Sequence, residues 1–142
     1  MEGKWNGKYW YLGKLPENFK EKLVRFELNI LELKNGKIHG TVADNLEDGG
    51  TNGIGSFMGM VKGNSISFVK KMPMRSYFFK DGSRFEENKP HASVYYKGIM
   101  DIKNNTVKGT WKIKMRFGIL NGRVAFFPGT KGEWDMVKDE GV

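Results

Sequence analysis

A segment of twelve residues, TVKGTWKIKMRF at 106–117, alternates strictly between two kinds of side chain. Its odd positions are apolar, aromatic or glycine, and four of its even positions are the basic residues Lys108, Lys112, Lys114 and Arg116. Only a β-strand, whose successive side chains point to opposite faces, uses a period of two. A strand with one buried face and one wet face is typical of an antiparallel sheet. We therefore predict one long antiparallel strand over residues 106–117.

The rest of the chain contains similar segments separated by turn signals. Asn35-Gly36 predicts a type I′ hairpin turn, and a change of phase after Ile30 predicts a β-bulge. A short helical turn is predicted over residues 15–21 and an irregular hairpin over 72–85. The other predicted strands cover residues 4–12, 22–33, 37–43, 56–62, 65–71, 92–102 and 131–138. Neighbouring strands joined by hairpins predict an all-β, up-and-down antiparallel β-barrel of about eight to ten strands. A two-sheet sandwich is the competing architecture.

Composition limits the class of protein. The 142 residues predict a single β-barrel domain over 1–142. The apolar runs are too short for a transmembrane helix, so membrane insertion is not expected. No apolar leader is visible at the start, which predicts a cytoplasmic location if the chain is complete. The absence of cysteine excludes disulfides and thiolate chemistry.

No catalytic or metal-binding pattern is present in the sequence. The two histidines, His39 and His91, are far apart and have no ligand-spaced partners. The acidic pairs Glu47-Asp48 and Glu86-Glu87 fall in polar segments, where carboxylates are ordinarily solvated. We therefore predict a non-catalytic protein without a cofactor or a metal site.

A Gly-x-Trp triplet occurs three times, as GKW at 3–5, GTW at 109–111 and GEW at 132–134. Glycine two residues before tryptophan lies on the same face of a strand. Each triplet therefore places a hollow beside a large ring, although chance recurrence in a chain rich in glycine explains the pattern equally well.

In these triplets the chain resembles the calycin barrels, and most closely the avidin/streptavidin family. The segment LKNGKIHGTVAD at 33–44 resembles the second hairpin of avidins. The resemblance implies a barrel that holds a small ligand, with the first tryptophan packed across the closed end under a basic residue such as Lys138. The biotin-binding residues are not retained, because Gly7, Tyr11 and Val42 stand where many avidins have Asn, Ser and Tyr.

The preferred function is the binding of a small, mainly apolar or planar ligand inside the barrel. Met60 would add to the lining of the barrel interior, and Phe117 would also face the interior. A filled core without a cavity is the alternative for the same side chains. The candidate ligand-binding residues are Tyr9, Tyr11, Met58, Phe68, Tyr96, Trp111, Met115 and Trp134.

The second hypothesis concerns the outside of the barrel. The net charge is +8, and Lys108, Lys112, Lys114 and Arg116 form a basic row that suits an anionic polymer such as nucleic acid or a glycan. The row has no aromatic side chain on its own face for base stacking. The sequence therefore disfavours nucleic acid as a partner while leaving it open, together with a homo-oligomer, and a solvated lysine face is the simpler explanation.

Overall fold

The protein is an assembly of antiparallel strands. The computed structural model describes residues 1–12, 23–48, 50–73, 75–78, 84–87, 93–114, 116–120, 122–127 and 129–140. The predicted helical turn at 15–21 lies outside these residues. The twelve strands are β1 (Gly3–Leu12), β2 (Val24–Lys34), β3 (Lys37–Asp44), β4 (Ile54–Lys62), β5 (Ser65–Lys71), β6 (Arg75–Phe78), β7 (Arg84–Glu87), β8 (Val94–Asp101), β9 (Thr106–Ile113), β10 (Arg116–Leu120), β11 (Arg123–Phe127) and β12 (Thr130–Lys138).

Eight of the strands form one closed barrel in the order β1-β12-β9-β8-β5-β4-β3-β2. Two separate hairpins, β6-β7 and β10-β11, interrupt the connections between β5 and β8 and between β9 and β12. Every barrel strand runs antiparallel to both of its neighbours. The predicted all-β, up-and-down barrel is therefore confirmed, and the sandwich is excluded. Closure leaves the barrel without an edge strand.

The alternating sequence pattern maps directly onto the inside and outside of the barrel. In β2, for example, Val24, Phe26, Leu28 and Ile30 are buried, and the intervening Arg25 and Glu27 are exposed. The predicted bulge is confirmed, since the pairing with β3 shifts register between Ile30 and Glu32. The buried core contains Trp5, Tyr9, Val24, Phe26, Leu28, Ile30, Ile38, Val42, Phe57, Ile66, Phe68, Met72, Val94, Tyr96, Val107, Trp111, Trp134 and Met136.

The two ends of the barrel differ in their connections. One end has the tight turns 35–36, 63–64 and 102–105. Asn35 and Gly36 have φ angles of 54° and 76°, as a type I′ turn requires. At this end Lys138 lies opposite Trp5 across the β1-β12 pair. The other end, which we call the Asp44 end, has the longer connections that follow β1, β3, β5 and β9.

The prediction of one strand over residues 106–117 is wrong. Strand β9 ends at Ile113, and Arg116 begins β10, which pairs with β11. Ile113 lies opposite Val94 at the start of β8 and Thr130 at the start of β12. Both neighbours thus begin level with Ile113, and a longer β9 would have no partner in the barrel. The basic row is correspondingly shortened, because Arg116 belongs to another sheet.

Two of the Gly-x-Trp triplets pack against each other. In the β9-β12 pair, Trp111 lies opposite Gly132 and Trp134 lies opposite Gly109. A Cβ atom on Gly132 would lie 2.5 Å from the Trp111 ring and 1.9 Å from the carbonyl oxygen of Trp10. The Trp111 ring therefore occupies the hollow left by Gly132, the glycine of the other triplet. This pairing gives the recurrence a packing role.

Candidate ligand site at the Asp44 end of the barrel

Aromatic rings fill the middle of the barrel. Phe68 stacks on Tyr96 with ring centroids 4.7 Å apart, and Trp134 meets both rings edge-on at 5.4–5.5 Å. Phe57 meets Phe68 at 5.4 Å from the neighbouring strand. The Trp134 indole nitrogen donates hydrogen bonds to the carbonyl oxygens of Lys97 and Thr110. Phe68, Tyr96 and Trp134 thus lie in the interior and contact one another, which makes this layer a packed core.

A buried ion pair lies above this layer, toward the Asp44 end. The ammonium group of Lys70 on β5 donates to the carboxylate of Asp44 at 3.3 Å. The side chains are 6% and 0% exposed, respectively. Removing two charges from water costs several kcal/mol for each ion, roughly, and the attraction between them repays it only with good geometry and further hydrogen bonds. The surroundings supply such bonds.

The carboxylate of Asp44 accepts two further hydrogen bonds, from the Tyr9 hydroxyl at 3.1 Å and from the backbone N–H of Thr51 at 3.1 Å. The ammonium group of Lys70 also lies 5.5 Å from the centroid of the Tyr96 ring. The same group lies 4.8 Å from the centroid of the Tyr9 ring. Strands β1 and β5 face each other in the closed order, so this polar cluster of Tyr9, Asp44, Lys70 and Tyr96 bridges the barrel.

Burial and neighbouring charges shift the pKa values of Tyr9, Tyr96 and Lys70 in this cluster. Burial raises the pKa of Tyr9 well above its ordinary value, and the Asp44 carboxylate raises it further. Burial also raises the pKa of Tyr96, although Lys70 opposes the shift. Burial alone would lower the pKa of Lys70, but its interactions with Tyr96 and Asp44 outweigh that effect and raise it. At neutral pH both phenols are protonated and Lys70 carries its charge.

The connection between β3 and β4 holds Asp44 in place. Arg25 forms a bidentate ion pair with Asp48, at 2.7 and 3.0 Å, and its backbone N–H donates to the same carboxylate. The backbone of Asp48 in turn donates to the side chain of Asn45. Gly50 packs against Asp44, where a Cβ atom would lie 2.4 Å from the Asp44 side chain. The carboxylate is therefore oriented by a folded loop.

An aromatic corner stands beside the polar cluster. Tyr11 is half-buried, and its ring meets Trp111 edge-on at 5.0 Å and Tyr9 at 6.2 Å. Tyr9 and Trp111 are themselves in edge contact at 5.9 Å. The Trp111 indole nitrogen donates to the carbonyl oxygens of Trp10 and Glu133. The structure thus brings Tyr9, Tyr11 and Trp111 together at the Asp44 end.

Two other candidates lie elsewhere. The predicted inward position of Met58 is wrong, because its side chain is 72% exposed and Phe57 occupies the inward position of β4. The predicted inward position of Met60 is wrong for the same reason, since Met60 is 57% exposed. Met115 lies outside the described residues, and Phe117 lies on β10, of which the structure describes the backbone pairing.

Sequence reasoning missed Asp44 and Lys70, although a signal was present. Asp44 follows Ile38, Gly40 and Val42 in the inward phase of β3, and Lys70 follows Ile66 and Phe68 in that of β5. A charged residue in the buried phase of a strand is the pattern that predicts an internal ion pair.

Within the described ranges, no group of three or more His, Asp and Glu side chains is placed to hold a metal ion. Over the same residues, no helix is long and apolar enough to cross a membrane.

Comparison of the chain with protein-family models finds no match, and comparisons with curated proteins and with solved structures find none either. The closed antiparallel barrel of eight strands is compatible with a calycin-like fold. That statement rests on architecture alone.

Proposed function

We propose that this protein is a non-catalytic binding barrel for a small, mainly apolar or planar ligand that carries one hydrogen-bonding group. The ligand would bind at the Asp44 end, against Tyr11 and Trp111, with its polar group on the cluster formed by Tyr9, Asp44, Lys70 and Tyr96. The observation that carries the proposal is the ion pair of Asp44 and Lys70, buried in an otherwise apolar interior that is rich in aromatic rings.

Three physical arguments support this function. Ligand sites in barrels are mostly apolar, with a few polar groups that orient the ligand. A buried charge pair is a poor source of stability, because well-packed apolar side chains in its place are often neutral or stabilising. Groups with strongly perturbed pKa values also concentrate at functional sites. A barrel that needed only a filled core would gain little stability from Asp44 and Lys70.

We also propose that the barrel is related to the avidins and binds a ligand other than biotin. Gly7 stands at one of the biotin-contacting positions, and the ring of Phe26 fills the space beside it. At another of these positions Tyr11 packs on Tyr9 and Trp111. The aromatic rings of Tyr11 and Phe26 at these places favour a ligand with an apolar or planar face.

An environment-sensitive apolar dye tests the proposal. We expect the wild-type protein to bind the dye and planar aromatic acids or fatty acids to displace it. In the double variant Lys70→Met/Asp44→Asn, these acids should no longer displace the dye. The control variant Lys8→Met/Asp135→Asn removes an exposed ion pair of the same type, and the acids should still displace the dye from it. Retention of dye by Met58→Ser/Met60→Ser would separate this site from the outer surface. Absence of any dye uptake by the wild-type protein would contradict the proposal.

A further inference from the structure

The outer surface of the barrel wall has a strongly amphipathic region on β4, β5, β8 and β9. Two adjoining grooves of about 710 and 550 Å³ cross it and share Met60, Ser67, Lys97 and Thr110. Met58, Met60 and Ile99 are 57–72% exposed in this region. We call this region the outer groove face. The first groove also borders Phe68, Tyr96 and Trp111, whose side chains are buried in the barrel interior.

Cross-strand pairing arranges the apolar and basic residues in an ordered row. Met58 lies opposite Val69, Val69 opposite Tyr95, and Tyr95 opposite Lys112, which in turn lies opposite Lys131. Directly paired residues share a face of the sheet. The row is therefore apolar on β4, β5 and β8 and basic on β9 and β12.

The charge of the outer groove face has one sign. Among the described residues, the two grooves are lined by lysines and by no acidic side chain. The acidic Glu133 and Asp135 lie on β12, next to the face and outside both linings. The lysines that line the grooves are Lys62, Lys97, Lys108, Lys112, Lys114 and Lys131.

We propose that the outer groove face adsorbs to the surface of an anionic lipid bilayer. Exposed methionine and isoleucine side chains would enter the headgroup boundary, and the flanking lysines would contact anionic headgroups, the combination that holds proteins at membrane surfaces. The strands remain outside the hydrocarbon core. The inference rests on charge complementarity. Among the residues that the structure describes, the grooves are lined by lysines and by no acidic residue, and an anionic bilayer is negatively charged.

Two other occupants fit the face less well. Single-stranded nucleic acid requires exposed rings for base stacking, and the ring of Tyr95 is covered by the ammonium group of Lys114 at 4.6 Å from its centroid. Met58, Met60 and Ile99 offer no ring at all. A second copy of the chain would bring lysines against lysines, a like-charge contact that opposes association.

Co-sedimentation with vesicles tests the proposal on the full chain. We expect binding to phosphatidylcholine vesicles that contain phosphatidylserine, weaker binding to phosphatidylcholine alone, and a loss at high salt. Lys97→Glu/Lys112→Glu should weaken binding by about tenfold or more. The matched control is Lys4→Glu/Lys8→Glu, which changes the net charge equally on β1 at the opposite wall and should retain most of the binding.

The apolar contribution has its own pair of variants. Met58→Ser/Met60→Ser should weaken vesicle binding several-fold, whereas Leu31→Ser/Val137→Ser, which changes exposed apolar residues elsewhere, should not. Thermal unfolding of every variant checks that it is folded. The proposal would be overturned if the wild type did not bind anionic vesicles, or if Lys97→Glu/Lys112→Glu bound them as well as the wild type does. It would also be overturned if the wild type formed a dimer in solution and bound no vesicles, and if Met58→Ser/Met60→Ser abolished that dimer. Binding to single-stranded nucleic acid in place of vesicles would overturn it as well.

Discussion

The indole ring of Trp111 lies over Gly132, the residue directly opposite it in the β9-β12 pair. The ring of Trp134 lies against Gly98 on β8, where a Cβ atom would lie 2.8 Å from it. Two large rings are thereby accommodated in a barrel of eight strands because each lies against a glycine. The ring of Trp111 reaches the aromatic corner with Tyr9 and Tyr11, so the same glycine that permits the fold also positions a wall of the candidate site.

Gly132→Ala should destabilise the protein. A Cβ atom at this position would lie 1.9 Å from the carbonyl oxygen of Trp10 and 2.5 Å from the Trp111 ring, so backbone and ring must both move. Overpacking of this kind costs about 1–3 kcal/mol. Urea unfolding measures the change. The neighbouring exposed residue provides the control, since Glu133→Ala should change the stability by less than about 0.5 kcal/mol; equal effects of the two variants would contradict this packing.

Breaking the internal ion pair should cost more than removing it entirely. Lys70→Met or Asp44→Asn alone leaves its partner buried without its main counter-charge, a loss of about 3–5 kcal/mol. Lys70→Met/Asp44→Asn should be more stable than the sum of the two single variants predicts, because no lone charge is left. A double-mutant cycle from urea unfolding measures this coupling.

The exposed pair Lys8 and Asp135, at 3.9 Å, is the control for that cycle. Its coupling energy should fall in the range of about 0–1 kcal/mol that is usual for surface pairs. Strictly additive effects of Lys70→Met and Asp44→Asn would show that the two side chains do not interact in solution.

The protein should lose stability in alkali. Tyr9, Tyr96 and Lys70 each have a higher pKa in the folded protein than in the unfolded chain, where the ordinary values are 10.0 for tyrosine and 10.5 for lysine. The folded state then retains protons that the unfolded chain releases, so the stabilisation is complete below those values and declines as the pH rises through the folded ones. The free energy of unfolding should fall steadily above about pH 10.

Ultraviolet absorption of tyrosinate tests the origin of that loss. In the folded protein, at least two tyrosines should resist ionisation until the protein unfolds, and they should titrate normally in urea. Tyr9→Phe should remove one resistant phenol and weaken the alkaline destabilisation. Normal ionisation of all tyrosines in the folded state would contradict the burial of Tyr9 and Tyr96.

Much of the barrel was predictable because alternation reports directly on the two faces of a strand. The inward residues of β2, the bulge after Ile30 and the Asn35-Gly36 turn all follow from local pattern and turn chemistry. The end of β9 at Ile113 did not, because it is set by where β8 and β12 begin. The sequence periodicity continues past that point into a different hairpin.

The candidate site was only partly predictable. Tyr9, Tyr11 and Trp111 are apolar-phase aromatics, so their convergence in the interior follows from periodicity. Met58 was misplaced because the phase of β4 is ambiguous: Phe57 and Met58 are both apolar, and only the pairing with β3 and β5 decides between them. The pairing of Asp44 with Lys70 joins two strands that are not neighbours, which no local pattern specifies.

Calorimetric titration is the most direct test of the proposed binding function. Planar aromatic acids and fatty acids should be titrated into the wild-type protein and into Lys70→Met/Asp44→Asn. We expect at least one of these ligands to bind the wild type with one-to-one stoichiometry and the variant at least about tenfold more weakly, since a lost charged hydrogen bond costs about 1.5–3 kcal/mol. Equal affinity for the folded variant and the wild type, or no binding by the wild type to any member of the panel, would contradict the proposal.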